Sequence, residues 1–380
     1  MASFVVAALS VANVTLVDVF SAGEAGYACF RLPSVLPLNP SGVVHDPVPL
    51  KGAVAVFAEG RLKSCSDFAP TDVVYKMSGD GGRTWGNLTV LAGTDHDAAY
   101  GNSSHNPCPV VAGDGRIVVL FDRGGRVLAA RSRAPPHAAA LDTGWSYRTQ
   151  PTGASGTTGP TAGIRLPSGR LAVYVDHGGG GALLSDDDGA TWRHSNTTVP
   201  YGNEGQLALA PNGSLIAAMR DAGVPGGAGS YRRLLSWSSD GGDTWSFPLD
   251  ALMPELGGSC EGSVLRVATP SSPPLPSQPS PWLLTSTPWG VGPSWDRRCP
   301  GPGRCNMTVF RSRDSGASWG VHLQLNESLG VNPREAAAYS ALFNYNKTHF
   351  GIVYERDGAG HLTMSYLPLP VEAAEESWSG

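Results

Sequence analysis

The 380-residue chain contains little charge. Asp, Glu, Lys and Arg together make up 16% of its residues, and the formal net charge is −5 at pH 7. Lysine is especially rare, with four residues against 23 arginines. A weakly acidic chain lacks the basic surface that binding to nucleic acids or anionic membranes requires, so we expect no nucleic-acid partner.

Long apolar runs are absent as well. No stretch approaches the roughly 20 apolar residues of a membrane-spanning helix, so we expect no transmembrane segment. Amphipathic helical patterns are scarce, whereas the chain has 49 glycines and 31 prolines, a composition typical of all-β domains. The apolar start, MASFVVAALSVA, lacks a basic region and fits either a short signal peptide or a chain that begins at its first strand.

Cysteine is limited to six residues, none at the spacing of a zinc site. Cys299 and Cys305 lie close enough in CPGPGRC to pair. The pairing of the other four stays open from sequence: Cys29, Cys65, Cys108 and Cys260.

The chain does contain a repeat. The pattern S-x-D-x-G-x-[ST]-W occurs four times: SGDGGRTW (78–85), SDDDGATW (185–192), SSDGGDTW (238–245) and SRDSGASW (312–319). Its aspartates are 107, 53 and 74 residues apart, so we expect one degenerate copy in the first gap, at 131–146. A period near 50 residues is the length of a four-stranded propeller blade.

The residue types of this repeat, the Asp-box, are those of a hairpin turn. Ser and Asp side chains bond to nearby backbone amides, glycine permits the turn, and tryptophan anchors it beneath. The aspartate triplet 186–188 also invites a calcium interpretation, but only Asp187 belongs to the pattern and the other copies lack the cluster. We therefore predict a structural turn, and expect neither a metal nor another cofactor.

Together these features predict an all-β fold, a six-bladed β-propeller with Asp-box hairpins, in a single domain over 1–380. The expected blades are 29–91, 106–150, 158–200, 204–250, 259–325 and 336–368, the last closed by a strand at 14–20. The segment PSSPPLPSQPSP (270–281) is expected to be a loop insertion.

Several short segments carry a family resemblance over nearly the whole chain. In order they are FRLPS (30–34), FAEGR (57–61), HNPCP (105–109), SCEGS (259–263), RCNMTV (304–309) and VYERDG (353–358). With the Asp-boxes, they resemble the retaining exo-sialidases (neuraminidases), particularly the branch of the animal lysosomal and cytosolic enzymes.

The resemblance implies a clamp for a carboxylate. Arg31, Arg220 and Arg304 match the three arginines that bind the carboxylate of sialic acid, and guanidinium forks suit that group. Glu355 matches the residue that orients the first arginine.

The resemblance also implies catalytic roles. Tyr339 matches the nucleophile, Glu204 its activating base and Asp67 the general acid/base. Arg61 matches a pocket arginine near the sugar's C4 hydroxyl, with Glu59 placed to pair with it. His105, by contrast, is a lone histidine, and we predict a structural role for it.

We therefore expect an exo-α-sialidase acting on glycoproteins, glycolipids or oligosaccharides through a tyrosyl-enzyme intermediate. Three alternatives stay open: a trans-sialidase, with Trp289 and Trp295 as acceptor-binding aromatics, a hydrolase of a related nonulosonic acid, and a non-catalytic glycan-binding propeller. Sialylated glycans are the expected partners, and a glycolipid substrate would bring the protein to membranes.

Eight of 13 asparagines begin an N-x-[ST] sequon, where chance predicts about two. They are Asn13, Asn87, Asn102, Asn196, Asn212, Asn306, Asn326 and Asn346. We expect a secretory or endomembrane route to the lysosome or the cell exterior, with a cytoplasmic location still open.

Overall fold

The computed structural model describes residues 16–38, 52–93, 103–137, 140–148, 154–223, 233–251, 260–267, 282–288, 304–325, 336–346, 349–356 and 363–370. The predicted insertion at 270–281, Trp289, Trp295 and Cys299 lie outside these residues. The described regular structure is almost entirely β, with one short 3₁₀ helix at Glu24–Gly26. No helix in these ranges has the length and hydropathy of a membrane span.

Five of the sheets have four strands each. Four follow the chain: β2 (Cys29–Pro37), β3 (Val54–Arg61), β4 (Thr71–Ser78) and β5 (Thr89–Ala92); β6 (His105–Val111), β7 (Ile117–Arg123), β8 (Arg126–Ser132) and β9 (Trp145–Arg148); β15 (Gly202–Leu209), β16 (Leu215–Asp221), β17 (Arg233–Ser238) and β18 (Leu249–Asp250); β19 (Val264–Val267), β20 (Trp282–Pro288), β21 (Met307–Ser312) and β22 (Gly320–Gln324). The fifth joins β23 (Ala337–Asn344), β24 (His349–Arg356) and β25 (Thr363–Pro370) to β1 (Val17–Phe20) from the amino-terminal side.

A further sheet departs from this form. It has five strands: β10 (Thr157–Thr158), β11 (Ile164–Arg165), β12 (Leu171–Asp176), β13 (Gly180–Ser185) and β14 (Arg193–His194). Both β10 and β11 pair with β12, so two short strands stand where the other sheets have one. The intervening residues include Pro160, which has no N–H for a ladder. The fold is thus an all-β propeller with five regular four-stranded blades, rather than the six blades expected from the sequence.

The first strands of the sheets surround the centre of the propeller. β2 lies beside β6 and β23, and β15 lies beside β12 and β19. The strands behind them are largely apolar, and every residue of β3 and β4 is buried. Because neighbouring sheets pack face to face, the cores lie between the sheets, as where Phe57 and Tyr75 meet Phe121.

Each Asp-box forms the same turn, as its residue types predict. In the first copy the Ser78 hydroxyl donates to Asp80 Oδ1 (2.8 Å) and accepts the N–H of Gly82 (2.8 Å). Asp80 also accepts the N–H and the hydroxyl of Thr84, at 3.0 and 2.6 Å. Equivalent bonds surround Asp187, Asp240 and Asp314.

The aspartate triplet contributes to contacts between sheets. Asp186 pairs with Arg170 at 2.6 Å. Asp188 accepts the N–H of Gly113 and pairs with Arg131 at 3.5 Å, both in the β6–β9 sheet or its turns. The flanking aspartates therefore bond to arginines and backbone amides, and the middle one completes the box.

Candidate active site

Four of the first strands are irregular near their beginning. The register shifts just after Arg31 in β2, after His105 in β6, around Glu204 in β15 and around Tyr339 in β23. Bulges bend a strand and re-aim its side chains, and they are common beside active sites. The irregularities lie at the same end of the ring, where they direct these side chains towards one site.

Three arginines surround one tyrosine there. The guanidinium carbons of Arg31 and Arg304 lie 5.0 and 5.6 Å from the centre of the Tyr339 ring. Arg220 Nη1 lies 3.3 Å from the Tyr339 hydroxyl. The structure therefore brings together the three arginines that the sequence singled out, and their convergence forms a site for an anion.

Glu355 holds Arg31 in place. Its two carboxylate oxygens accept from Nε and Nη2 of Arg31 at 3.2 and 3.4 Å, and Oε1 also accepts the N–H of Leu32 at 2.8 Å. Leu32 has a left-handed φ of 57°, which belongs to the bulge. Burial works to lower the pKa of Arg31, but the interactions with Glu355, Tyr339 and Asp67 together outweigh it and the pKa is raised.

Tyr339 and Glu204 form the centre of the site. The Tyr339 hydroxyl lies 2.7 and 2.8 Å from the two oxygens of Glu204, and Glu204 also accepts from Arg220 Nη1 at 2.7 Å. Burial raises the pKa of Tyr339 well above its usual value, and the charge of Glu204 raises it further. The phenol is therefore neutral at rest, with its hydroxyl facing a base.

Asp67 lies on the loop that follows β3. Its Oδ1 accepts from Nη1 of Arg61 at 2.7 Å and from Nη1 of Arg31 at 2.8 Å, while 72% of the side chain is exposed. Partial burial works to raise the pKa of Asp67, but the hydrogen bond and charge of Arg61 and the charge of Arg31 lower it overall. The carboxyl group is thus ionised in the free protein at neutral pH.

Arg61 and Glu59 pair as expected, and His105 joins them. Glu59 Oε2 accepts from Nε and Nη2 of Arg61 at 3.0 and 2.7 Å. Glu59 Oε1 lies 3.2 Å from Nδ1 of His105, a contact that the sequence did not indicate. Burial works to lower the pKa of His105, but the hydrogen bond and charge of Glu59 raise it.

Two buried charged residues that the sequence analysis did not single out, Glu261 and Arg233, lie behind Tyr339. Glu261, in SCEGS, accepts the N–H of Ser340 at 3.3 Å. Arg233 donates from Nη2 to the carbonyl of Cys260 at 3.2 Å. Burial raises the pKa of Glu261 well above its usual value and lowers that of Arg233. Glu261 therefore helps to fix the strand that carries the tyrosine.

The cysteines divide into bonded and free residues. Cys29 and Cys65 form a disulfide, whereas Cys108 and Cys260 are free and buried. Cys305 is also disulfide-bonded. The described ranges hold no group of three or more His, Cys, Asp or Glu side chains arranged to bind a metal ion.

Comparison with known proteins places the chain in a family. The profile of the BNR repeat-like domain matches residues 54–352. The chain belongs to the sialidase family with BNR repeats. Sialidase-4 of Homo sapiens is 29% identical over 317 residues, covering 72% of this chain and 60% of that protein. The exo-alpha-sialidase of Aspergillus fumigatus is 26% identical over 295 residues, covering 67% of this chain and 64% of that protein.

Solved structures of this sialidase family share the fold. The Hadza microbial sialidase Hz136 superposes with a TM-score of 0.71 over 94% of this chain and 69% of its own, at 20% identity. The chain spans 60% and 64% of the two sequence relatives' lengths.

Proposed function

We propose that this protein is an exo-α-sialidase, a glycoside hydrolase that releases terminal sialic acids from glycoproteins, glycolipids or oligosaccharides with retention of configuration. The observation that carries this proposal is the contact of the Tyr339 hydroxyl with Glu204 at 2.7 Å, amid three arginines. A neutral phenol approaches an anionic sugar without the repulsion that a carboxylate nucleophile would meet. The named relatives, which are sialidases, support the same conclusion.

Substrate binding begins at the arginines. Arg31, Arg220 and Arg304 bind the carboxylate that sialic acid carries at its anomeric carbon, C2. Glu355 keeps the guanidinium of Arg31 oriented for this contact. Binding the carboxylate fixes C2 beside the Tyr339 hydroxyl and stabilises positive charge developing on the sugar ring.

The first chemical step forms the tyrosyl-enzyme. The Tyr339 oxygen attacks C2 while its proton passes to Glu204, and the bond from C2 to the leaving oxygen breaks. Asp67, protonated at this point, gives its proton to that oxygen. In the second step, Asp67 takes a proton from water, the water oxygen attacks C2, and the bond to Tyr339 breaks as Glu204 returns the proton to the phenolate.

Asp67 must change partners in this scheme. In the free protein its carboxylate is bonded to Arg31 and Arg61, which keep it ionised. When the substrate carboxylate takes up Arg31, part of that stabilisation is lost and the pKa of Asp67 rises towards the value a general acid needs. Arg61, held by Glu59, then contacts the sugar near its C4 hydroxyl, with His105 next to Glu59.

Three other functions remain candidates for the same site. Transfer of sialic acid would need aromatic residues that bind an acceptor, and hydrolysis of a related nonulosonic acid would use the same arginines and tyrosine. A non-catalytic glycan-binding propeller would have no need of a tyrosine bonded to Glu204. This bond favours an enzyme.

The proposal also covers the number of blades and the location of the protein in the cell. The five-stranded sheet serves as the sixth blade, because its strand β12 lies beside β15 of the next sheet. The sequons support a secretory route to lysosome or exterior, and a glycolipid substrate would bring the protein to membranes without a spanning helix.

The deciding experiment is release of fluorophore from a 4-methylumbelliferyl α-sialoside between pH 4 and about 7. Tyr339→Phe should abolish most of the release. Tyr354→Phe is the matched control, because Tyr354 lies in the same sheet but packs in its core, and it should stay active. Wild-type protein that binds sialic acid without releasing fluorophore would contradict the proposal.

A further inference from the structure

The disulfide between Cys29 and Cys65 lies at the edge of the candidate active site. Cys29 begins β2, two residues before Arg31, and Cys65 lies two residues before Asp67. Cys29 also faces Arg61 across the β2–β3 ladder. The bond therefore attaches the loop that carries Asp67 to the strand that carries the first arginine of the clamp.

The loop between β3 and β4 makes mostly local contacts of its own. Its ends are closed by the N–H of Leu62 donating to the carbonyl of Pro70 at 3.0 Å. Within it, the backbone N–H groups of Ser66 and Phe68 donate to nearby serine hydroxyls. Phe68 is 98% exposed. In the described contacts, the tip is held to the protein by the disulfide and by arginine side chains.

Of the contacts that hold this loop, those with arginines change when substrate binds. Arg61 Nη1 donates to the carbonyl of Cys65 at 2.6 Å and to Asp67, and Arg31 Nη1 donates to Asp67. When a substrate carboxylate binds Arg31, Asp67 loses one of the two arginines that donate hydrogen bonds to it, at the step in which it must protonate the leaving oxygen. The disulfide is independent of the substrate.

We propose that the Cys29–Cys65 disulfide positions Asp67 as the general acid of the proposed sialidase reaction, on which this inference rests. With Cys65 fixed to β2, Asp67 reaches the leaving oxygen by side-chain rotation while its backbone stays in place. Catalytic groups displaced by even about 1 Å lose much of their effect, so this restraint matters most for proton transfer.

A purely structural disulfide would act differently. A disulfide that closes a loop of this size stabilises a fold chiefly by restricting the unfolded chain, so its loss would reduce activity on every substrate through the amount of folded protein. When a positioned acid is lost, the size of the fall in rate depends instead on the leaving group. An aryl oxygen departs with little help, whereas a sugar hydroxyl must be protonated.

The test compares kcat/KM for a 4-methylumbelliferyl α-sialoside and for α2,3-sialyllactose in the Cys29→Ala/Cys65→Ala variant, because kcat/KM reports formation of the tyrosyl-enzyme and not the later step in which Asp67 acts as a base. We expect kcat/KM on sialyllactose to fall about tenfold or more, part of the 10²–10⁴ range of a general acid, and kcat/KM on the aryl sialoside to fall by less than about threefold. Asp67→Asn should show the same selectivity in stronger form. Cys108→Ala, which removes a buried thiol from β6, should leave the ratio unchanged.

The remaining outcomes separate this inference from the proposed function. Equal losses on both substrates would overturn the positioning role, whereas a wild-type protein inactive on both would overturn the sialidase proposal itself. If the double variant does not fold, it is replaced by wild-type protein in which mild phosphine treatment has reduced Cys29 and Cys65 but not Cys305, as alkylation and peptide mass spectrometry show. Unfolding upon reduction would show that the bond is structural only.

Discussion

The Tyr339 hydroxyl lies 2.7 and 2.8 Å from the two carboxylate oxygens of Glu204, although the residues are 135 positions apart in the sequence. Each comes from the irregular beginning of a first strand, β23 and β15. The same carboxylate accepts from Arg220, so Glu204 connects the nucleophile to the arginine clamp. In the proposed reaction this one side chain both accepts the phenolic proton and orients a substrate-binding group.

Glu204→Gln should separate these two tasks. The amide keeps the size of the side chain and can still accept a hydrogen bond from Arg220, but it cannot take the proton of Tyr339. We expect kcat to fall by about 10²–10⁴, with KM changed by less than about threefold, in steady-state assays on the aryl sialoside. A rise in KM with kcat unchanged would instead mean that Glu204 only orients Arg220. Glu24→Gln, at a carboxylate outside the site, serves as control.

Glu355→Ala tests the support of Arg31. Arg31 is 9% exposed, and the substitution leaves its buried guanidinium paired with the exposed carboxylate of Asp67. Removing one partner of a buried ion pair costs about 3–5 kcal/mol, so the free energy of unfolding in urea should fall by about that amount. KM should also rise, because Arg31 is no longer fixed for the substrate carboxylate. Unchanged stability and unchanged KM would contradict this role for Glu355.

Local patterns predicted some of this site and could not predict the rest. Arg31 and Glu355 stand in short recognisable segments, and the repeated box predicted the turns of the propeller. The contact of His105 with Glu59 spans 46 positions and depends on the bulge in β6. The Cys29–Cys65 bond likewise depends on how the loop after β3 folds back on β2. Such contacts arise only when the blades close into a ring.

The third Asp-box should give stability that depends on pH. Burial works slightly to raise the pKa of Asp240, but hydrogen bonds from Thr244 and Ser238 lower it to about 2. A depressed folded-state pKa stabilises the fold above the ordinary value, 3.8, and this contribution is lost as the pH falls from about 4 towards 2. Asp240→Ala should therefore lower the free energy of unfolding by about 1 kcal/mol at pH 6, measured in urea, and by less at pH 3.

Asp240→Asn is the matched control for the charge. It retains an acceptor oxygen for Thr244 but does not titrate, so its stability relative to wild type should improve as the pH falls. If the difference in free energy of unfolding between wild type and Asp240→Ala stays constant from pH 6 to 3, the ionised form of Asp240 adds nothing to stability.

The sequons should differ in occupancy if the chain passes through a secretory pathway. Asn212 is exposed at the turn between β15 and β16, with its Oδ1 bonded to the hydroxyl of Ser214 at 2.7 Å. Asn306 is half-buried with a left-handed φ of 56°, between Cys305 and β21 and two residues from Arg304. Secreted protein treated with a glycan-removing amidase should therefore show conversion to Asp at Asn212 and not at Asn306 by peptide mass spectrometry. Asn212→Gln should remove one glycan mass, and Asn306→Gln should remove none. A glycan at Asn306 would contradict the arrangement of that loop, because a sugar there would extend beside the arginine clamp.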